Sequence, residues 1–352
     1  MVPSAIPNPD LAALKREPDR EPIRIEPTFS PRIWGSRSLA PLYPEKTNLA
    51  EPIGEAWLTD VNCRVANGPF AGKTLAEAWR EMPAEWRGEK FSEMRDFPLL
   101  LKFIFPTDKL SIQVHPDDSY ASVHEKAAGG RGKTEMWHVV SAEPGARLLA
   151  GLKSGVTKEA FRQAMDSEKL EELFQSHEVH AGDTFFIPAG TPHTIGPGMT
   201  ICEVQEYSDL TYRVYDYGRV DAHGKPRELH IEKALQVMDF EAKSGAKVSS
   251  RSLSKGRESL NHLADCPYFS VDRLNVDRLI HFNLIKPKPG KSRFSLLVVL
   301  SGEGFLTWRP TRQTQGWIPL KTGECWFVPA DTLEDYSCRP AGRISLLTAC
   351  VP

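Results

Sequence analysis

"GDTFFIPAGTPH", residues 182–193, is the stretch from which the fold can be read, because the chain writes it twice. The altered copy is "GECWFVPADTLE", residues 323–334. Each copy runs glycine, acid, a few strand-forming residues, proline, alanine and then a turn. Glycine and proline shape a tight turn between strands, so the residue that follows re-enters the sheet at a defined place. In the first copy that residue is His193. In the second, Asp331 replaces the turn glycine and Glu334 replaces the histidine. Two β units of one kind are expected, with the histidine kept only in the first.

The first copy completes the pattern G-x5-P-x-G-x2-H and is similar to the second motif of the cupin superfamily, whose domains are small double-sheet barrels. The expected fold is therefore mainly β with added helices: two cupin-type jelly-roll barrels, the first with helical insertions. Working outward, residues 1–21 are proline-rich and charged and read as a flexible arm. Residues 22–242 would form a metal-binding unit. The polar, Ser/Lys-rich stretch 243–259 reads as a linker, and 260–352 as a second, degenerate barrel of short strands between Gly and Pro turns. Helical spacing appears in "KTLAEAWREM", where Pro83 should end or kink the helix, in "TKEAFRQAMDSEKLEELFQS", and in "IEKALQVMDF".

Composition narrows the function. The 352 residues are 40% hydrophobic and 26% charged, enough for a substantial core and two domains. The formal net charge of −2 provides no basic field of the kind that attracts nucleic acid or an anionic membrane. No stretch approaches the ~20 apolar residues of a membrane span. Six scattered cysteines without a C-x-x-C pair read as reduced thiols in a cytoplasmic protein.

"KLSIQVHPDD", residues 109–118, places Leu110, Ile112 and Val114 on one strand face and Ser111, Gln113 and His115 on the other. Alternate residues of a small barrel point inward, so this second face would look into the lumen. Lys133 and Glu135 share a face in "GKTEMWHVV", and His193 enters from the turn. Gln113, His115, Glu135 and His193 would then converge as two imidazoles, a carboxylate and an amide. That donor set suits Zn²⁺ and would also accept Fe²⁺, Mn²⁺ or Co²⁺.

With "PRIWG", "IGEAW", "LLLKFI", "LSIQVHPDD", "GKTEMW", "GTPHTI" and "EVQEYSDLTYRVYDYGR" in this order, residues 23–352 resemble the class I mannose-6-phosphate isomerases (phosphomannose isomerases) in their shorter bacterial form. The resemblance implies an enzyme holding one Zn²⁺ per chain on Gln113, His115, Glu135 and His193. It would interconvert mannose 6-phosphate and fructose 6-phosphate through a cis-enediol, as a monomer or homodimer with a small sugar-phosphate substrate and neither nucleic acid nor membrane as partner. Proton transfer of this kind needs a base, an electrophile for the enediolate and a cationic phosphate site.

Arg213 matches the family's active-site arginine; read alone, it is a surface strand arginine paired with Asp209 or Asp216. Lys102 interrupts an apolar run and is read as facing inward to phosphate or sugar oxygens, against a snorkelling edge position. Glu203 and Lys133 are the candidates for the base, and Glu203 could instead simply pair with Arg213. Asp209 and Ser111 are candidate substrate contacts. Trp34, Glu55 and Trp57 belong to the family pattern and suit a pocket rim or plain core. His177 and His180 of "SHEVH" are expected in solvent, and His124, His138, His223, His230, His262 and His281 show no converging partner and stay unassigned. The chain lacks the longer forms' extra helical domain and the basic segment after the arginine, so the last phosphate contact has no counterpart. Ile195 stands where some relatives have a hydroxylated aromatic. Two other readings compete: another cupin enzyme (a sugar-phosphate isomerase or epimerase, or a dioxygenase), and a sugar-phosphate-binding regulatory cupin without turnover.

Overall fold

The computed structural model describes residues 21–165, 168–220, 223–241, 247–252, 259–282, 293–308, 316–330 and 336–352. Asp331 and Glu334 therefore lie outside the described residues, as does the arm up to residue 20. Strands dominate. In the first part they are β1 (Ile23–Glu26), β2 (Thr28–Ser36), β3 (Ile53–Trp57), β4 (Arg64–Val65), β5 (Leu99–Ile104), β6 (Ile112–Val114) and β7 (Glu135–Ala142). There follow β8 (Arg147–Leu152), β9 (Phe174–Glu178), β10 (Thr184–Ile187), β11 (His193–Ile195), β12 (Met199–Glu206) and β13 (Tyr212–Tyr215). The second part has β14 (Arg251–Ser252), β15 (Ser259–Asp265), β16 (Ser270–Val276), β17 (Ile280–His281) and β18 (Ser295–Ser301). It ends with β19 (Glu303–Trp308), β20 (Gly316–Lys321), β21 (Cys325–Val328), β22 (Ser337–Pro340) and β23 (Ile344–Cys350).

The site is built between two antiparallel sheets. One runs β10-β7-β12-β5-β3-β2 and the other β13-β6-β11-β8-β9. They face each other across one core, to which the first contributes Trp34, Ile104, Trp137 and Phe185 and the second Leu148 and Ile195. β5 has no polar face except Lys102 and is buried along its whole length, as expected of a strand covered on both sides. The second part pairs as β14-β15-β16-β23-β18-β21-β1-β4 and β17-β22-β19-β20. Here Leu297, Val299, Leu306 and Leu346 share a core. The N-terminal strand β1 belongs to this sheet, Ile23 pairing with Phe327.

The repeat is visible in the backbone. Gly182 and Gly323 have φ of 94° and 86°, a region closed to most side chains. Each is followed two residues later by a four-residue strand, β10 or β21. At Gly323 a Cβ would lie 2.8 Å from the Leu42 carbonyl oxygen.

The helices are short. In α1 (Leu75–Glu81), Thr74 and Glu77 form a reciprocal cap; α2 (Ala84–Arg87) starts after Pro83. Trp79 of α1 packs edge-on to Phe97 at 5.1 Å and Phe294 at 5.4 Å. The helical insertion is thereby tied to the second part. Further helices are α3 (Asp118–His124), α4 (Lys158–Ala164) and α5 (Ile231–Val237). Among the described residues no helix is long and apolar enough to cross a membrane.

Two local expectations are corrected. The strand of residues 109–118 is only Ile112–Val114. Leu110 packs with the Trp34 and Ile195 cluster, whereas Ile112 and Val114 pack with Phe161, Tyr212 and Leu235. The three apolar residues thus serve two cores, with Leu110 fixed separately through its N–H to the Ile195 carbonyl at 2.9 Å. His177 is half-buried, not in solvent, because its ring packs on Phe185 at 5.4 Å. His180 is exposed. Of the polar stretch 243–259, the described part pairs at both ends: Lys247 bridges to Phe185, and Arg251–Ser252 pair with His262 and Asn261.

Candidate metal centre

Antiparallel register brings His193 opposite Gln113, and Arg213 opposite Gln113 from the other side. One row of the five-stranded sheet thus carries three polar side chains, and His115 follows two residues on. Glu135 comes from the facing sheet, where β7 pairs with β10 and β12. One nitrogen from each of His115 and His193 and one oxygen of Glu135 lie within 4.8 Å of one another, all three residues fully buried. The Gln113 Nε2 is 3.3 Å from His193 Nε2, and half a turn of this amide would present its Oε1 to the same point.

The two rings are held in one tautomer. His115 Nδ1 donates to the Leu210 carbonyl at 2.6 Å, and His193 Nδ1 to the Thr191 carbonyl at 2.8 Å. A carbonyl oxygen only accepts, so both Nε2 lone pairs are left for the centre. Burial pushes His193 down to about 3 and lowers His115 as well, which keeps both imidazoles neutral. Glu135 is opposed by burial, yet the Lys133 ammonium at 2.7 Å and His115 hold its carboxyl well below the usual range. Neither Glu135 oxygen receives a hydrogen bond of normal geometry. A buried carboxylate with an ion pair but no well-formed hydrogen bond, facing two imidazole lone pairs, is a donor set that suits a divalent cation.

The centre borders a cavity of about 440 Å³. Lys102 lines it from β5, 2% exposed at the side chain, so the snorkelling alternative does not describe it. Its Nζ lies 3.5 Å from Asp209, 3.7 Å from Glu203 and 3.9 Å from Glu55, over the Trp57 ring at 4.7 Å. Burial works against this ammonium, but the three carboxylates outweigh it and raise its pKa. Glu203 Oε1 accepts the Trp137 indole N–H at 2.9 Å. Burial, then the Glu135 charge, pushes the Glu203 carboxyl up to about 7, with Lys102 opposing. Its partners are thus Trp137 and Lys102; no pairing with Arg213 is formed. Lys133 also stands 3.4 Å from His115 Nε2, and Ser111 donates to the Gln113 Oε1 at 3.3 Å.

Neither Asp209 nor Asp216 pairs with Arg213. Asp209 faces Lys102, and Asp216 is held by Arg219 and Arg227. Arg213 Nη1 donates to the Glu228 carbonyl at 3.0 Å, while its buried Nε has no partner. Sequence reasoning missed three lining residues with chemistry: Arg32, which pairs with Glu55 at 2.6 Å, Arg227 and His230. Arg32 sits in the quoted "PRIWG", three residues from Gly35, and alternation along β2 could have flagged it. Nothing local marks Arg227 or His230, which reach the cavity only once β13 has folded beside α5. Trp34 is both core and cavity wall, 3% exposed.

Fold and centre together define a mainly β protein with a candidate metal site between two of its sheets, opening on a cavity rich in cations. The model of the phosphomannose isomerase type I catalytic domain matches residues 23–136. The mannose-6-phosphate isomerase of Streptococcus mutans is 35% identical over 291 residues, covering 82% of this chain and 87% of its own. The crystal structure of mannose 6-phosphate isomerase from Bacillus subtilis superposes with a TM-score of 0.81 at 30% identity, covering 93% of this chain and 99% of that one. A mannose 6-phosphate isomerase structure bound with zinc and yttrium shares the fold, with a TM-score of 0.67 at 16% identity and coverage of 93% and 98%. The chain belongs to the type I phosphomannose isomerase family.

Proposed function

We propose that this protein is a metal-dependent aldose–ketose isomerase that interconverts mannose 6-phosphate and fructose 6-phosphate. The observation that carries the reading is the fully buried Glu135 carboxylate, ion-paired with Lys133 yet accepting no hydrogen bond of normal geometry, set against two oriented imidazoles at the edge of a cavity lined by Lys102, Lys133, Glu203 and Arg213. Gln113, His115, Glu135 and His193 would hold the metal, and zinc is an ion whose preferences suit these donors. A relative of the same fold binds it. Zinc at such a centre supplies a Lewis acid for sugar oxygens.

The chain's own groups do the rest. Glu203, with a pKa near neutrality, takes a proton from one of C1 and C2 and returns it to the other. Lys102, its pKa raised by three carboxylates, stays an ammonium and acts as a hydrogen-bond donor to sugar oxygens, not as a base. Lys133 keeps Glu135 ionised and offers a second ammonium at the enediolate. Arg213 contributes a guanidinium whose Nε is free to meet an anion. Ser111 and Asp209 complete the hydroxyl contacts. Trp34, Ile104 and Ile195 give the cavity an apolar wall.

The same reading takes each part of the chain as a cupin-type jelly roll, 22–242 catalytic and 260–352 degenerate, with β1 reaching from one into the other. It also takes the protein as cytoplasmic, consistent with free and mostly buried cysteines, and as a monomer or homodimer. The test is a coupled assay of fructose 6-phosphate formation from mannose 6-phosphate by the purified protein. Turnover supports the isomerase. A folded, zinc-loaded protein that binds the sugar phosphate but never converts it would instead be the binding cupin.

A further inference from the structure

Gln205 is fully buried beside the centre yet does not line the cavity. It pairs in register with Glu135, and alternation along β12 puts it on the same face as Glu203. Its Nε2 donates to the Glu206 carbonyl at 3.0 Å and to the Ser208 carbonyl. Both partners only accept, so the NH2 group must face them, which settles the orientation of the amide. The Oε1 is thereby left buried without a partner among the described residues. An orphaned buried acceptor is costly, and an apolar side chain of the same length would avoid it. The amide is there for its donors.

What those donors hold is the connection from β12 to β13, residues 207–211. The Ser208 N–H also reaches the Glu206 carbonyl at 2.7 Å. The Ser208 hydroxyl accepts the Leu210 N–H at 3.3 Å and donates to the Arg131 carbonyl at 3.1 Å. The Leu210 carbonyl, at the end of this relay, is the one that takes the His115 Nδ1 proton at 2.6 Å. Asp209, between Ser208 and Leu210, sets its carboxylate 3.5 Å from the Lys102 ammonium. At the start of the connection Glu206 exchanges two hydrogen bonds with Thr134, at 2.7 and 3.2 Å. Thr134 lies between Lys133 and Glu135. One short connection thus touches the segments that carry His115, Lys102, Lys133 and Glu135, and the Gln205 amide closes it from within.

We infer that Gln205 is a positioning residue of the centre: by pinning residues 206–208 it fixes the carbonyl that orients the His115 ring and the carboxylate that faces Lys102. The identity of the bound ion rests on the metal reading above, but the orientation of His115 can be read without any metal. Groups that orient a ligating imidazole contribute to metal affinity through the ring they hold.

The test uses the full-length protein and two variants. Gln205→Met keeps the length of the side chain and removes both donors. Ser208→Ala removes the acceptor of the Leu210 N–H, and serves where the methionine variant fails to fold. Zinc affinity, measured by competition with a chelating indicator, is expected to fall by about tenfold or more in Gln205→Met and in the same direction in Ser208→Ala. In the metal-free proteins, imidazole nitrogen chemical shifts report the tautomers. His115 should carry its proton on Nδ1 in wild type and become a mixture in both variants. His193 is the internal control, because the carbonyl that holds its Nδ1 belongs to Thr191, outside the connection, and its tautomer should not change. Zinc affinity within twofold of wild type together with an unchanged His115 tautomer, in either folded variant, would overturn the positioning role. Mixed tautomers at His115 and His193 alike would overturn it too, since they mark a general loosening. A His115 tautomer that depends on Gln205 in a protein that binds no zinc would support the positioning of the ring and overturn the metal reading alone.

Discussion

Glu206 shows how a single buried carboxyl can set a pH dependence outside the site. It is 6% exposed and accepts the Thr134 N–H at 2.7 Å; burial pushes it up to about 7 from 4.5. Because the folded pKa is the higher one, its stabilising contribution is complete below 4.5 and is lost as the pH rises through 7. Glu206→Gln keeps the acceptor and mimics the protonated state. It should be more stable than wild type at pH 8 by on the order of 2 kcal/mol, with the gap closing as the pH falls toward 4.5. Denaturant titrations at both pH values check this, and a gap independent of pH would contradict it. Arg213→Ala is expected to lower turnover by about a hundredfold while metal analysis finds zinc retained; loss of metal as well would make Arg213 a structural partner of the β6 row. At this scale the converging donors were legible, because period-2 alternation puts Gln113 with His115 and Lys133 with Glu135. Arg227 and His230 were not, since their positions are fixed by Asp216 and by Arg213, contacts that no local pattern encodes.

Among the elements, β2 and β3 carry Arg32, Trp34 and Glu55 to the cavity, and their approach depends on two glycines. A Cβ on Gly35 would lie 2.4 Å from Gly54 N and from Ile53 C, and one on Gly54 would meet Arg32 Cβ at 2.5 Å. These are backbone and near-backbone atoms, which cannot swing aside. Gly35→Ala should lower stability by about 1–3 kcal/mol, seen as a reduced Tm, and should raise KM by displacing the wall. A variant with unchanged Tm and KM would show that the strands can separate freely. The sequence showed most strands through alternation or apolar runs, and α1 through its helical spacing and Pro83. It overstated the strand at 109–118, because Leu110, Ile112 and Val114 alternate perfectly while being divided between two cores. Alternation reports which residues are buried, not which core buries them.

Across the molecule, the repeated glycine-to-proline stretch forecast two β regions of one kind, and β10 and β21 do follow their glycines alike. The sharing between the regions was hidden. Pairing of Ile23 with Phe327 and packing of Trp79 on Phe294 join residues far apart in the chain, and such pairing leaves no local signature. One core accordingly takes residues from both parts, Ile25 and Leu101 with Leu296 and Leu347. The candidate metal centre has the same long-range character, its residues arriving from β6, β7 and β11 and the residue after β6. The most direct measurement is a zinc titration of the chelated protein, following isomerisation of mannose 6-phosphate beside bound metal, with His193→Ala in parallel. Activity is expected to rise with zinc and saturate at about one equivalent per chain, and His193→Ala is expected neither to hold the metal tightly nor to turn over. Full turnover in the metal-free protein, or zinc binding and activity unaffected by His193→Ala, would contradict this expectation.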